Sequence, residues 1–203
     1  MEEDYGGICG ITEEEMITQM SEDLEILAKH LKTTREEVLA KLKNYYDGYH
    51  FTWPSPDIYN PFSLLNAFAS KKLKPFWFES GTPTYLLEML RKFNIVPSEI
   101  GWRKSADVDF NAPIETMSEP TPLLYQSGYL TIKDYNDRSE LYILDLPNKE
   151  VRQGLMICLI PNYVQKPSEI NILVREMAEL IEDNKLEEAL RLMQKVLSTV
   201  PYC

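Results

Sequence analysis

The sequence predicts a mainly α-helical protein with one small β-hairpin, an α+β fold. Apolar residues recur at the spacing of amphipathic helices along most of the 203-residue chain. Alternation of apolar and polar residues appears in residues 129–146, where two such runs flank a turn-forming segment. Hydrophobic residues make up 44% and charged residues 26% of the chain, a composition that supports a folded core.

Two capping boxes mark the first helices. In Thr12 with Glu15, and in Thr34 with Glu37, a hydroxyl residue stands three positions before a glutamate and ahead of an apolar run. We expect one helix from Thr12 to Leu31 and a second helix after Thr34. The apolar positions that predict their buried faces are Met16, Met20, Leu24, Leu27 and Leu31, then Val38, Leu39, Leu42, Tyr45 and Tyr46.

A dense aromatic segment, the aromatic loop (residues 44–66), breaks the helical pattern. It contains seven aromatic residues and three prolines, together with an Asp47-Gly48 turn signal. In such a turn the aspartate accepts backbone N–H bonds and the glycine supplies a positive φ. This segment is the most distinctive part of the sequence.

Two further helices follow Asn-Pro and Thr-Pro pairs. Asn60 before Pro61 predicts an N-cap and a first-turn proline, and Thr82 before Pro83 repeats the pattern. Residues 94–118 carry only weak signals. The residues predicted to point inward are Leu64, Leu65 and Phe68 in the first helix, then Leu86, Leu87, Leu90 and Phe93 in the second.

The alternating runs 129–135 and 141–146 predict the β-hairpin, with a turn over 136–140. A short helix from Pro122 to Gln126 precedes it, and Asn148 caps a helix after it. A helix, a hairpin and a further helix suggest a winged-helix unit, although another small α+β arrangement has the same pattern.

Two amphipathic helices, 168–181 and 185–200, are predicted to end the chain as an antiparallel pair. The sequence therefore divides into a helical region (1–118), a winged-helix-like region (119–165) and a helical hairpin (166–203). The stripes predicted to pack against each other are Ile170, Leu173, Met177 and Leu180, with Leu186, Leu190, Met193 and Leu197.

Charge and cysteine content narrow the class of protein. The formal net charge is −11, and the first 28 residues contain no Lys or Arg. An acidic surface of this kind repels nucleic acid phosphates. Three widely spaced cysteines indicate reduced thiols in a cytoplasmic protein, and two histidines give no metal-ligand spacing. We expect neither a signal peptide nor a membrane span.

Five motifs occur in order along the chain: GITEEE at 10–15, YYDGYHF at 45–51, YNPFSLL at 59–65, LLYQSGYLTI at 123–132 and LPNKEV at 146–151. Together they resemble the AAA-ATPase-like family of bacteria and archaea, which is commonly fused to a PD-(D/E)XK nuclease-like domain. The resemblance covers residues 8–165.

No G-x-x-x-x-G-K-[ST] phosphate loop is present in the sequence, so no nucleotide-binding residue is carried over. The resemblance implies the C-terminal half of the ATPase-like module, with a helical lid and a winged-helix-like part. The implied partners are an N-terminal nucleotide-binding domain and a C-terminal nuclease-like domain of the same protein. ATP and magnesium are implied for the parent protein, and no cofactor is implied for this fragment.

No catalytic or metal-binding residue is predicted. The family-signature residues, interpreted as structural, are Tyr46, Asp47, Gly48, Tyr49, Tyr59, Asn60, Pro61, Gly128, Tyr129, Pro147, Asn148 and Glu150. The resemblance thus implies a non-catalytic regulatory lid that couples nucleotide state to a nuclease-like domain. The alternative is a non-enzymatic winged-helix-like module that recognises protein or nucleic acid.

Three interpretations that assign a specific chemistry to this chain have less support than the structural interpretation. Asp47 and His50, three residues apart, have the residue types of an acid/base pair, against a turn-forming role for Asp47. Asp57 with Asp183 and Lys185 mimics a nuclease motif, but the sequence places them in a loop and a distant turn. The aromatic loop has no arginine for base stacking.

A DNA-binding winged helix needs a basic recognition helix and a basic wing. The helix before the hairpin carries no Lys or Arg, and the hairpin offers Lys133 and Arg138 against Asp134, Asp137 and Glu140. These observations argue against nucleic acid as a partner of this fragment.

Overall fold

The computed structural model describes residues 9–80, 84–95, 100–107, 110, 119–163, 172–173, 175–177, 179–180, 183 and 185–197. They form a mainly helical fold with small antiparallel sheets, so the predicted α+β class is confirmed. The chain divides into two compact units, Met1–Gly154 and Leu155–Cys203. The boundary predicted at residue 118 lies inside the first unit, which holds both the helical region and the hairpin.

Both predicted capping boxes form. Thr12 and Thr34 each accept a hydrogen bond from the backbone N–H three residues later, and Glu15 and Glu37 reach back to the cap. The first elements are β1 (Ile11–Thr12), α1 (Glu13–Gln19), α2 (Ser21–Leu31) and α3 (Arg35–Tyr46).

The single helix predicted from Thr12 to Leu31 is wrong, because the chain breaks at Met20 into α1 and α2. Neither glycine nor proline marks the break, and the apolar spacing continues through it. Met16 and Leu24, on either side of the break, are both fully buried in one core.

The aromatic loop leads into a second set of elements. Asn60 caps its helix as predicted, accepting a hydrogen bond from the Ser63 N–H at 3.2 Å. Leu65 was expected to point inward but is 51% exposed, because the buried face instead runs through Leu64, Ala67 and Phe68. The elements are β2 (Ile58–Tyr59), which pairs antiparallel with β1, α4 (Pro61–Ser70), a 3-10 turn (Phe76–Ser80) and α5 (Thr84–Lys92). The Thr82-Pro83 start lies outside the described residues.

The predicted hairpin forms, and a third strand joins it. All neighbours are antiparallel in the order β3-β5-β4, with a register shift at Lys133 in β4. The third strand was not predicted, because its polar sequence Arg-Lys-Ser is held as a strand by pairing with β5. The elements are β3 (Arg103–Ser105), α6 (Thr121–Gln126), β4 (Thr131–Asn136), β5 (Leu141–Asp145) and α7 (Lys149–Tyr163).

In the second unit, the described residues within 172–180 are helical and α8 spans Leu186–Leu197. The predicted packing of the α8 stripe is wrong for three residues: Leu186, Leu190 and Met193 are 61, 55 and 42% exposed. The face of α8 that is buried carries Ala189 instead. In the part of the chain that the structure describes, no helix has the length and hydrophobicity to cross a membrane.

Candidate functional site

The signature residues, which are spread over more than 100 positions of sequence, meet around the aromatic loop. Tyr46 ends α3 fully buried, and its hydroxyl lies 3.0 Å from both the N and the O atom of Lys74. Burial raises the pKa of this hydroxyl, so Tyr46 is a neutral hydrogen-bonding group at physiological pH. The end of α3 is thereby fixed where the loop begins.

Asp47 follows as a buried carboxylate, with 3% of its surface exposed. Its Oδ1 atom has no hydrogen-bond partner in the described part of the chain, and Oδ2 lies 3.9 Å from Lys43 Nζ. Burial, with repulsion from Asp57 and Glu13, raises the pKa of Asp47 to about 6, and the Gly48 backbone and Lys43 oppose the shift.

Gly48 lies where the loop approaches the backbone of Pro147, just after the hairpin. Its φ is +91°, and a Cβ atom here would lie 2.7 Å from the carbonyl oxygen of Pro147 and 3.0 Å from Lys133 Nζ. That ammonium group donates to the Gly48 oxygen at 2.8 Å and to the Pro147 oxygen at 3.1 Å. The loop therefore requires glycine at this position.

Lys133 reaches these carbonyls because it occupies the register shift of β4. An irregularity in a strand changes the direction of the side chain that it carries. The sequence predicts a poor phosphate-binding surface on the hairpin, and the Nζ atom of Lys133 is indeed bound to two backbone carbonyls. Partial burial lowers the pKa of Lys133, with the carboxylates of Asp57, Asp145 and Asp47 opposing the shift.

Two backbone contacts extend this connection. Asn148 donates from Nδ2 to the Asp47 oxygen at 3.0 Å and accepts from the Val151 N–H at 3.1 Å, so it links the loop to the first turn of α7. The Thr131 hydroxyl donates to the His50 oxygen at 2.9 Å and accepts from the His50 N–H at 2.6 Å.

Glu150, in the first turn of α7, is fully buried and joins three elements. Its Oε1 atom accepts from the Ser63 hydroxyl at 2.8 Å and from the Trp77 N–H at 3.0 Å. Its Oε2 atom has no partner among the described residues, and burial raises the pKa of the carboxyl group. A buried carboxylate with two donors holds α4, the 3-10 turn and α7 together.

The ring of His50 bonds residues other than Asp47, so the acid/base pair that the sequence disfavoured does not form. Nε2 lies 2.7 Å from Asp57 Oδ1, and Nδ1 lies 3.1 Å from Ser55 Oγ. The Ser55 hydroxyl also donates to the Thr52 oxygen at 2.9 Å. A hydroxyl bound to a backbone carbonyl is not an activated nucleophile, so these residues fold the loop tip.

Asp57 of the nuclease-like pattern therefore binds His50 within the same loop. In the second unit, Asp183 pairs with Lys185 at 3.2 Å. Each residue of the nuclease-like pattern thus has a partner close to it in sequence. Within the described residues, no cluster of three or more His, Cys, Asp or Glu side chains is arranged to hold a metal ion.

An open cavity of about 310 Å³ lies beside the aromatic loop. Its wall includes Tyr59, whose buried hydroxyl has no hydrogen-bond partner in the described part of the chain. Gly128, at φ +75°, brings the backbone close to the Trp77 ring. The rings of Tyr49, Phe51 and Trp77 line the cavity, and aromatic rings favour a ligand with a flat face. The signature residues that line it are Tyr49, Tyr59, Asn60, Pro61 and Gly128.

Tyr129 lies beyond this wall and packs against it, with its ring centroid 5.0 Å from that of Trp77 and 6.0 Å from that of Phe78. All twelve signature residues thus belong to one region of the first unit. Sequence analysis missed the residues that connect them, Ser63, Thr131 and Lys133. Nothing in the local pattern marks them, since each acts on a residue that is distant in sequence.

Comparison with known proteins adds one relative. The chain is 27% identical over 200 residues to a protein of Azotobacter chroococcum mcd 1 described as an uncharacterized protein in the vnfD 5' region. The match covers 98% of this chain and 36% of the relative, so the chain spans about a third of that protein's length. No family model and no solved structure matches.

Proposed function

We propose that this chain is a non-catalytic regulatory lid of a larger AAA-ATPase-like protein. In this proposal it closes over a nucleotide bound by a separate P-loop domain and transmits the nucleotide state to a nuclease-like domain. ATP and magnesium belong to that P-loop domain. The observation that carries the proposal is that the aromatic loop, which contains two of the five motifs, is joined to the other three. It pairs with the motif at 10–15 through β1 and β2, and Thr131 and Asn148 of the motifs at 123–132 and 146–151 bind its backbone.

A lid that transmits a state needs a stiff connection between the part that senses and the part that responds. The aromatic loop has such a connection to the hairpin through Lys133 and Thr131, and to α7 through Asn148. Movement of the loop would therefore carry the hairpin and α7 with it.

The cavity beside the loop supports a nucleotide-facing role. Its aromatic rings suit the base of a nucleotide whose phosphates are held elsewhere. The much greater length of the Azotobacter chroococcum relative leaves room for the further domains that the proposal requires. The exposed thiol of Cys9 suits the reducing cytoplasm that we propose for this protein.

Calorimetry with Mg-ATP tests whether ATP binds to the separate P-loop domain and not to this chain. This chain alone should show no saturable binding at submillimolar ligand, because its sequence lacks a phosphate loop. A longer gene product that includes the upstream sequence should bind ATP. A micromolar dissociation constant for Mg-ATP would contradict the expectation that this chain alone does not bind ATP. A longer product that binds no nucleotide would contradict the proposal that this chain is a lid.

A specific observation favours the alternative, a protein-interaction module. Trp102 is 76% exposed, has a φ of +53° and directly precedes β3 at the edge of the sheet. Large exposed aromatic residues of this kind anchor protein interfaces. The three-stranded sheet with α6 before its hairpin suits a winged-helix-like unit, and its hairpin lysine is already bound internally. Loss of partner capture in Trp102→Ala, with ATP turnover unchanged in the longer protein, would favour this alternative.

A further inference from the structure

A second, larger concavity of the first unit is lined by lysines. The basic groove (Lys41, Lys71, Lys72, Lys74 and Lys149) is open to solvent and has a volume of about 660 Å³. Lys41 lies on α3, three lysines follow α4, and Lys149 begins α7. The groove is separate from the cavity beside the aromatic loop, because the two share no lining residue.

The basic groove is positively charged, whereas the whole chain carries a net negative charge. The formal net charge is −11, yet no Asp or Glu occurs among the described residues that line this concavity. Five ammonium groups in one concavity repel each other, and a bound anion relieves that repulsion. Distant acidic residues matter little, because salt screens charges beyond about 8 Å at physiological ionic strength.

Two of the lysines are held against aromatic rings. Lys149 Nζ lies 4.8 Å from the centroid of the Tyr45 ring, and Lys74 Nζ lies 4.9 Å from that of Phe76. Lys41, Lys71 and Lys72 are exposed. The groove thus combines lysines that contact aromatic rings, exposed lysines and a half-buried aromatic ring, Tyr45, in its wall.

We propose that the basic groove binds the sugar-phosphate backbone of a single-stranded nucleic acid. Lysine is a point charge that contacts phosphates without the paired geometry of arginine, which suits binding without sequence readout. No glycine lines the groove among the described residues, so it lacks the backbone amide cradle of a compact nucleotide phosphate site. Cations beside an aromatic ring in an open groove are typical of single-strand binding.

This inference revises the sequence argument against nucleic acid. The evidence against nucleic acid came from the acidic charge, from the lack of arginine in the aromatic loop and from the hairpin, whereas the five lysines of the basic groove lie outside that loop and hairpin. The Lys71–Lys74 run, KKLK, was the visible signal. Lys41 and Lys149 are distant from this run in sequence, and the fold brings them to the same groove.

Fluorescence anisotropy with a labelled oligothymidylate of about 16 nucleotides tests the proposal. The parent chain should bind at about 50 mM KCl and lose affinity steeply as salt rises, since each phosphate contact adds about 0.7 to the logarithmic salt slope. The triple variant Lys41→Gln/Lys71→Gln/Lys72→Gln should bind at least about tenfold more weakly, with the slope reduced by about 2. Circular dichroism would verify that it remains folded.

The matched control is Lys92→Gln/Lys104→Gln/Arg138→Gln, which removes the same charge from exposed positions outside the groove. It should keep the parent affinity and salt slope. The proposal is overturned if the parent chain does not bind, or if both triple variants lose affinity equally. Polyglutamate and ATP serve as competitors, each at the same total concentration of negative charge as unlabelled oligothymidylate. The proposal is also overturned if either displaces the labelled oligonucleotide as effectively as oligothymidylate does. Displacement by polyglutamate would assign the groove to an acidic polypeptide, and displacement by ATP would assign it to a small polyphosphate.

Discussion

Gly48 and Gly128 both adopt positive φ, but their surroundings differ. A Cβ atom on Gly48 would meet the Pro147 carbonyl oxygen at 2.7 Å, whereas one on Gly128 would make ordinary contacts with the Trp77 and Tyr49 rings, at 3.6 and 3.9 Å. Gly48→Ala should therefore cost about 2 to 4 kcal/mol of unfolding free energy, since backbone strain adds to a clash with fixed backbone. Gly48→Val should cost more.

Gly128→Ala is the matched control and should cost only about 1 to 2 kcal/mol of backbone strain. Urea unfolding of both variants measures the difference. Equal losses would show that the contact between Gly48 and Pro147 does not determine the choice of glycine.

Asp47 makes stability depend on pH. Its pKa of about 6 in the folded protein lies above the ordinary value of 3.8, so the folded state takes up a proton first as the pH falls. The cost of the buried charge is thus fully present above pH 6 and disappears as the pH falls towards 4. Asp47→Asn should raise the unfolding free energy by about 1 to 3 kcal/mol at neutral pH.

The gain from Asp47→Asn should fall below about 1 kcal/mol near pH 4 and vanish at about pH 3, where the carboxyl group is protonated in both states. Thermal melts across this range, with exposed Asp137→Asn as the control, measure it. A gain that persists at low pH would mean that the amide stabilises by hydrogen bonding, and not by removal of a charge.

Local patterns predicted the residues that act close to their own sequence position. The capping boxes at Thr12 and Thr34, and the cap at Asn60, formed as expected, because each cap bonds a backbone group three residues away. The Glu150 carboxylate was not predictable as a link, since its donor Ser63 lies 87 residues away. Sequence marks such residues as distinctive but does not give their partners.

At the level of elements, one ammonium group joins the aromatic loop to the hairpin. Lys133→Met removes the donor for the carbonyls of Gly48 and Pro147 and keeps most of the aliphatic stem. It should cost about 1 to 3 kcal/mol, because two partly buried carbonyls lose their partner. Amide hydrogen exchange should also accelerate in residues 48–50.

Lys104→Met is the control for this change, since Lys104 is an exposed lysine on strand β3, at the opposite edge of the same sheet. It should alter neither stability nor exchange in the loop. Accelerated exchange confined to the hairpin in Lys133→Met would show that the loop holds its conformation without the lysine, and the proposed transmission of movement would lose its main contact.

The elements also show where periodicity misleads. The apolar spacing continued through Met20 although the helix did not, because such spacing records burial and not the continuity of the backbone. Strand β3 is held by its pairing with β5, which no local pattern of Arg103–Ser105 encodes. The aromatic loop was recognisable by composition, whereas its connections to β4 and α7 depend on the whole fold.

At the scale of the whole molecule, the two compact units differ in how their apolar residues are used. The first unit buries residues of α1–α4 in one continuous cluster around Leu24, Leu42 and Leu64. In the second unit, α8 leaves Leu186, Leu190 and Met193 exposed. An isolated helix of about 12 residues is marginal in water, so α8 depends on the small area that it buries.

We therefore expect α8 to open at lower free energy than α4, and the chain to unfold in more than one step. Hydrogen exchange read by mass spectrometry should find residues 185–197 less protected than residues 61–70. Sedimentation of the same sample gives its size.

Leu190→Glu should leave the protection of α4 unchanged, and Leu65→Glu, an exposed position on α4, serves as the matched control. Equal protection of α8 and α4 in a monomeric sample would contradict this expectation. Equal protection in a dimer that Leu190→Glu dissociates, and Leu65→Glu does not, would show that a second copy covers the exposed side chains.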